Sequence, residues 1–268
     1  MQKIESILEL EKKAKEMRLE VMRMLKEAGS GHAAGPLGLA DLFTALYFNV
    51  LDHEQDVVLV SNGHVCPIWY AVLAHTGYFP VEDLASLRKL GSHLQGHPKN
   101  IATPGVFNSS GPLGHSEGQA IGAAFAKRYD KDNSRVFCFL SDGGQQEGAV
   151  WEAMLVAAKY KLANLTFILD WNDVQIDGHV TEIMPLPDLE AVYADCGWEV
   201  TTIDGNDMPE VLQAYEQTSP EMSEKPKLIL AKTLSGKGVS FMEGKYEYHD
   251  WKASEEDADN AIRELSNE

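Results

Sequence analysis

The sequence predicts an α/β fold of the doubly wound type, a mainly parallel sheet flanked by helices. Three observations predict it. Short apolar runs of strand character alternate with helical stretches along the chain, the order expected of parallel strands joined by crossover helices. Two of these runs, Val136-Phe137-Cys138-Phe139-Leu140 and Leu165-Thr166-Phe167-Ile168-Leu169, bracket a helix-like stretch from Glu147 to Leu162, which makes a strand–helix–strand unit of roughly 30 residues. Each run then ends in a polar residue, Asp142 after the first and Asn172 after the second, and open parallel sheets carry their ligands at the carboxyl ends of the strands.

The elements follow in chain order. Residues 4–28 place Ile4, Ile7, Leu8, Ala14, Met17, Val21, Met24, Leu25 and Ala28 at three-to-four spacing, an amphipathic helix ended by Gly29. A second helix is expected from about Gly38 to Val50. Val57-Val58-Leu59-Val60 is a short buried strand, followed by Ser61-Asn62-Gly63-His64 and a helix to about Thr76. Residues 90–115 have weak periodicity and many turn formers; a connection that long is functional or disordered. Residues 117–129 read as a helix with a small face, Gly118, Ala120, Gly122, Ala123 and Ala124. Strands are expected near 135–140, 165–170, 198–203 and 227–232 with helices between them, then a glycine-rich loop over 233–252 and an acidic terminal helix over 253–266. With no internal repeat, low-complexity tract or linker in its 268 residues, the sequence is read as one domain, 1–268.

Hydrophobic residues make up 44% and charged residues 24% of the chain, an ordinary globular composition. Lys and Arg number 23 against 41 Asp and Glu, a net charge of −18. That balance argues against nucleic acid or an anionic membrane as partner, since both need a basic face. It leaves an anionic substrate open, because charge within a cleft is local. Cys66, Cys138 and Cys196 are scattered and odd in number, which suits a reduced, cytoplasmic protein. Cys138 is expected as a buried thiol in mid-strand. The sequence shows no apolar signal core and no run of 18 apolar residues.

Several chemistries lose support at the motif level. No dinucleotide fingerprint is present: Gly236-Lys237-Gly238 lacks the third glycine. A phosphate loop fails because Ala231 stands at its first glycine and Val239 breaks the remainder, and there is no nucleophile elbow. Asp142 and Asn172 hold up better. A carboxylate and an amide at adjacent strand ends are hard oxygen donors, suited to Mg²⁺ that also takes phosphate oxygens. Taken alone, Asp142 reads as a helix cap and Asn172 as a turn residue; the pairing carries the signal.

His32, His64, His97, His115 and His249 fall in loops, and all but His249 lie beside or near a glycine that lets backbone and ligand approach. Imidazoles there can donate to phosphate oxygens or move protons near neutral pH. His53, His75 and His179 are read as local structural histidines. His93 and His97 have zinc spacing only on a helix, which Gly91 and Gly96 disfavour.

These residues resemble the transketolase family, specifically its N-terminal, diphosphate-binding half. The matching segments are Ser30-Gly31-His32 with Gly35-Pro36-Leu37-Gly38, Ser61-Asn62-Gly63-His64, Gly96-His97-Pro98 and Gly111-Pro112-Leu113-Gly114. Asp142-Gly143, Glu147-Gly148, Asn172 and Ile176-Asp177-Gly178 resemble the thiamine diphosphate signature, and Lys232-Thr233, the stretch Gly236 to Glu243 and His249 resemble the end of the domain. The signature is shared by many thiamine enzymes; the histidine series narrows it to transketolases.

The resemblance implies a thiamin diphosphate-binding fold. It implies that Asp142, Asn172 and the Val174 carbonyl hold the divalent ion, Mg²⁺ or else Ca²⁺ or Mn²⁺. Gly143 and His64 would contact the diphosphate with His249 near it, and the Gly111 and Leu113 backbones would face the cofactor ring. His32, His97 and His249 would line the substrate channel and handle sugar hydroxyl protons. Departures from the family pattern are Ser141 in place of a glycine, His115-Ser116 in place of Gln-Gly, Asp250 after His249, and Trp171 and Asp173 around Asn172. His115-Ser116 is similar to deoxyxylulose phosphate synthases.

In this family a second, pyrimidine-binding domain supplies the glutamate that protonates the cofactor ring. No second run of strands follows here, so the expectation is a subunit that works with a separate C-terminal partner as an α2β2 assembly on sugar or sugar-phosphate substrates. The alternatives are another thiamine enzyme subunit, related to deoxyxylulose phosphate synthase or 2-oxoacid dehydrogenases, and a non-catalytic partner-binding domain.

Overall fold

A computed structural model describes residues 3–250 and 254–267. Its centre is a five-stranded sheet in the order β1-β2-β3-β7-β6. The strands are β1 (Val57–Val60), β2 (Val136–Ser141), β3 (Leu165–Trp171), β6 (Glu199–Asp204) and β7 (Lys227–Lys232), and every pairing between neighbours is parallel. The predicted fold class is the one observed. Each expected strand is present, and β2 and β6 each begin one residue beyond the predicted start.

Side chains alternate across the sheet as the two-residue strand period requires. Val58, Val60, Phe137, Phe139, Ile168, Ile229 and Ala231 point to one face. Val57, Leu59, Val136, Cys138, Leu140, Leu165, Phe167, Leu169, Leu228 and Leu230 point to the other. Both faces are buried, which is why these strands read as continuous apolar runs. The first face is covered by α1 (Ile7–Ala28), α3 (Ala40–Ala45), α4 (Cys66–His75), α9 (Met208–Glu216) and α10 (Glu255–Asn267). The second is covered by α5 (Ser116–Tyr129), α6 (Gly148–Lys159) and α8 (Leu189–Asp195). Phe43 of α3 stacks on Phe139 of β2 with ring centroids 4.0 Å apart, seating the first layer on the sheet.

Helix boundaries differ from expectation where a cap decides them. α1 starts at Ile7 rather than near residue 4 because the Ser6 hydroxyl accepts from the Glu9 N–H. It stops at Gly29, which takes the left-handed conformation at φ 66°. The second predicted helix begins earlier, as α2 (Ala34–Gly38), and continues through α3 into a π turn at Leu46–Val50. α6 is shorter than the stretch from Glu147 to Leu162, with Glu147 at its N-cap. A hairpin of β4 (Val174–Gln175) and β5 (Gly178–His179), followed by the single turn α7 (Val180–Ile183), was not expected. The 90–115 segment is irregular, as predicted. Of the predicted 233–252 loop and 253–266 helix, positions 251–253 lie outside the described residues. Among the described residues no helix is long and apolar enough to cross a membrane. Cys66, Cys138 and Cys196 are unpaired, with Cys138 buried in β2.

Candidate active site

The carboxyl ends of β1, β2, β3 and β7 bring two groups of residues to one edge of the sheet. The first is an oxygen-rich cradle at β2 and β3. In the sheet register Ser141 stands opposite Asp170, so Asp142 follows on one strand as Trp171 and Asn172 follow on the other. Asp142 is 1% exposed. Its Oδ1 accepts from the Gly143 N–H at 2.7 Å and its Oδ2 from the Asp173 N–H at 2.6 Å. Asp173 can present that N–H because it sits in the left-handed region, φ 59°, a conformation aspartate tolerates better than most residues. Its own carboxylate accepts from the N–H and hydroxyl of Thr181, tying the turn to α7.

Asn172 is held from both sides. Its amide Nδ2 donates to Asp170 Oδ2 at 2.7 Å, and its Oδ1 accepts from the Val174 N–H at 2.8 Å. Asp170, also 1% exposed, accepts a hydrogen bond from the Thr233 hydroxyl at the end of β7. Sequence reasoning missed Asp170. Its only signal is an acid closing an otherwise apolar strand.

Burial, reinforced by Asp170, pushes the Asp142 carboxyl up to about 8, although the Gly143 and Asp173 N–H groups work in the opposite direction. Burial pushes Asp170 up to about 7 against its bonds from Thr233 and Asn172. Among the described residues neither buried carboxylate forms an ion pair with a basic side chain, and a hard divalent cation is the group that would supply the missing positive charge. The oxygen pair of Asp142 and Asn172 therefore fits such a cation. It holds one carboxylate only, and among the described residues no group of three or more His, Cys, Asp or Glu could hold a metal.

Ser141, the departure at the first glycine of the signature, is explained locally. Its hydroxyl accepts from the Gly144 N–H at 3.2 Å, supporting the short 3-10 turn Gly143–Gln146 that Asp142 caps. Nothing there needs a positive φ, so a serine fits.

The second group is a histidine cluster. The rings of His32, His64 and His249 lie within 5.5 Å of one another, centroid to centroid: His32–His64 5.2 Å, His32–His249 5.5 Å and His64–His249 4.7 Å. His97 joins at the exposed edge, 6.1 Å from His32. Each ring comes from a different loop. Tight backbone approach makes this possible: a Cβ on Gly63 would stand 2.7 Å from the Gly111 nitrogen, and one on Gly111 would stand 3.2 Å from the His97 ring.

All four imidazoles are biased toward the neutral form. Burial, followed by repulsion from His249, lowers His32 to about 4, with Asp250 opposing. Burial and the three other rings hold His64 well below the usual range. Partial burial and the Arg88 guanidinium lower His97, and burial lowers His249 against the attraction of Asp250. His115 is exposed and donates from Nδ1 to the Leu113 carbonyl, outside the cluster. The histidines read as structural are so placed: His53 bridges Tyr78 and the Tyr47 carbonyl, His75 meets Glu16, and His179 meets Asp173. His93 is not helical and pairs with Asp83.

The loop 111–114 links the two groups. Gly111 lies against His97, the Leu113 side chain is 3.9 Å from where a Cβ on Gly144 would stand, and Gly114 lies against Glu147. Beside it, both amide atoms of Asn62 and the Ser110 hydroxyl are buried and meet no hydrogen-bonding partner among the described residues. Unsatisfied buried polar atoms are costly, and a polar ligand edge across this loop would offset that cost.

Comparison with known proteins accounts for this arrangement. The family described as transketolase, thiamine diphosphate binding domain, matches residues 10–267. The chain is 35% identical over 272 residues to the 6-deoxy-6-sulfo-D-fructose transketolase subunit SqwG of Clostridium sp. (strain MSTE9), covering 98% of each. It is 35% identical over 269 residues to one subunit of the apulose-4-phosphate transketolase of Actinobacillus succinogenes, covering 97% of each. Among solved structures, the transketolase of Campylobacter jejuni superposes with a TM-score of 0.87 at 31% identity, over 96% of this chain but 42% of that one. The chain thus spans the length of the subunits and about two-fifths of the solved transketolase, and with the family match over residues 10–267 it belongs to the transketolase family as a thiamine diphosphate binding domain.

Proposed function

We propose that the whole chain, 1–268, is the diphosphate-binding subunit of a transketolase that moves a two-carbon ketol unit from a ketose to an aldose. The observation that carries this reading is the adjacency of a cation cradle and a neutral histidine cluster, joined by the 111–114 loop. Relatives with the same span are named as transketolase subunits. The cofactor would lie between this chain and a separately encoded pyrimidine-binding subunit, in an α2β2 assembly. A cytoplasmic location suits the three unpaired cysteines.

Thiamine diphosphate, when bound, supplies the carbon nucleophile that carries the ketol unit. The rest is the work of this chain. Asp142, Asn172 and the Val174 carbonyl would hold Mg²⁺, with Ca²⁺ or Mn²⁺ satisfying the same oxygen donors. The Gly143 backbone and His64 would meet the diphosphate, with His249 beside them. The Gly111 and Leu113 backbones would face the cofactor ring. His32, His97 and His249, kept neutral, can each accept a proton at one ring nitrogen while donating from the other, which suits the hydroxyls of an open-chain sugar. The relatives' names include a sulfo sugar and a sugar phosphate. A ketose with an anionic end group is therefore the substrate class we assign.

The deciding experiment assays ketol transfer by this chain alone and then mixed with the candidate partner, using sulfonated and phosphorylated ketoses. Activity only in the mixture supports the reading; full activity of the chain alone refutes the split arrangement. Decarboxylation of a 2-oxoacid in place of ketol transfer would assign it to the dehydrogenase-like group. Calorimetry of the mixture with thiamine diphosphate and Mg²⁺ adds a check, since no binding heat would mean a non-catalytic subunit.

A further inference from the structure

Arg88 is an arginine in an unusual place. Its backbone is left-handed, φ 60°, in a chain where few non-glycine residues are, and such strain persists only where the surroundings enforce it. Two contacts enforce it here. The Arg88 N–H donates to the Leu94 carbonyl at 2.8 Å, and the preceding Leu87 is locked into the core at 1% exposure.

The side chain then runs between two glycine–histidine loops. A Cβ on Gly96 would stand 3.1 Å from both Arg88 Cζ and Nη1 and 3.4 Å from Nε, so the guanidinium lies flat against the backbone preceding His97. A Cβ on Gly31 would stand 3.7 Å from Arg88 Nη1, so the same group also borders the backbone preceding His32. From the other side, Cys66 and Tyr70 of α4 hold the 95–97 segment by donating to the carbonyls of Gly96 and Gln95. Among the described residues no carboxylate forms an ion pair with Arg88, so its charge is directed at its neighbours.

We propose that Arg88 is a positioning residue of the histidine site: its guanidinium sets the spacing of the Gly31-His32 and Gly96-His97 loops and presents a fixed positive charge to both imidazoles. The functional consequence rests on the reading above that these rings meet the sugar; the geometric claim does not. The charge acts in company. His32 also faces His97, His249 and Asp250, and its ring borders His64. On His97 the guanidinium is the main charged neighbour. Since Arg88 is exposed, solvent screens part of its effect, and the larger share of its role is geometric.

The test uses the full chain and follows the His32 and His97 imidazoles by NMR titration, with the Gly31 and Gly96 amides as reporters of loop position. Arg88→Gln should raise the titration midpoints of both imidazoles, His97 the more, and move both amide signals while the fold is retained by circular dichroism. Arg88→Lys keeps the charge but lacks the flat fork, so it should restore the midpoints in part and leave the amides displaced. Gly96→Ala should mimic Arg88→Gln by pushing the guanidinium away, and should add little in the Arg88→Gln background. Unmoved midpoints, or a Gly96→Ala effect as large without the guanidinium as with it, would overturn the proposal. Neither readout requires the partner subunit or turnover, so it can fail while the transketolase reading stands.

Discussion

The amide of Asn172 donates to the buried carboxylate of Asp170 at 2.7 Å, which leaves the orientation of the Asn172 oxygen fixed by a residue that is not itself a candidate cation ligand. Side chains that orient a ligand commonly matter nearly as much as the ligand. Asp170→Ala removes the acceptor that defines which way the amide points. It should weaken Mg²⁺-dependent thiamine diphosphate binding by roughly 10- to 100-fold, measured by calorimetry on the mixture with the partner. Unchanged affinity would mean that the Val174 N–H alone orients Asn172.

The two raised carboxyls predict how stability depends on pH when no divalent cation is present. An acid whose pKa is higher folded than unfolded contributes stability below its unfolded pKa, and that contribution is lost as pH rises through the folded value. For Asp142 and Asp170 the folded values are about 8 and about 7. The clustered histidines, depressed in the fold, pull the other way while the unfolded chain gives up its remaining imidazole protons just above pH 6.5, but they contribute less over this window than the two carboxyls. The cation-free chain should therefore melt about 3 °C lower at pH 8 than at pH 6.5, equivalent to ~1 kcal/mol for a chain of this size. Added Mg²⁺ should reduce the difference, because it favours the ionised form. Asp142→Asn should reduce it without metal. A wild-type profile no steeper than that of Asp142→Asn would show that the Asp142 carboxyl is not raised.

Much of this was readable in the sequence because the physics behind it is local. Val136 to Leu140 and Leu165 to Leu169 are apolar runs buried on both faces, and strand-end positions such as Asp142 and Asn172 follow directly from where those runs stop. The histidines stood out because glycines accompany them. What escaped was set by tertiary contact. Asp170 gains its meaning from Thr233, which lies 63 residues away in the chain. Arg88 gains its meaning from two loops on either side of it. The β4–β5 hairpin is two residues per strand, too short for any periodicity to show.

Gly63 tests whether close backbone approach is what assembles the histidine cluster. A Cβ there would stand 2.7 Å from both the Gly111 nitrogen and the Ser110 hydroxyl oxygen. Backbone cannot yield as a flexible side chain does, so the loop carrying His64 must move away from residues 110 and 111. Gly63→Ala should cost about 1–3 kcal/mol, the range for overpacking a tight site, visible as a lower midpoint in urea. It should also weaken cofactor binding more than the loss of stability explains. Wild-type stability in the variant would mean that the loops have slack.

His64 offers the converse pH test, on the acid side. Burial and three neighbouring rings hold its pKa well below 6.5, so the unfolded chain takes up its proton before the folded chain does. By linkage, this group withdraws stability as pH falls below 6.5, by at most about 1.4 kcal/mol per pH unit for a single site. His64→Gln has nothing to protonate. The raised carboxyls run the opposite way in this range and act in both proteins, so the difference between the two proteins isolates the histidine. Wild type minus His64→Gln, compared by urea unfolding at pH 7 and pH 5, should shift against wild type at the lower pH. A difference that stays constant would mean that His64 titrates normally in the fold, and that the cluster is wetter than its ring spacings of 4.7 and 5.2 Å imply.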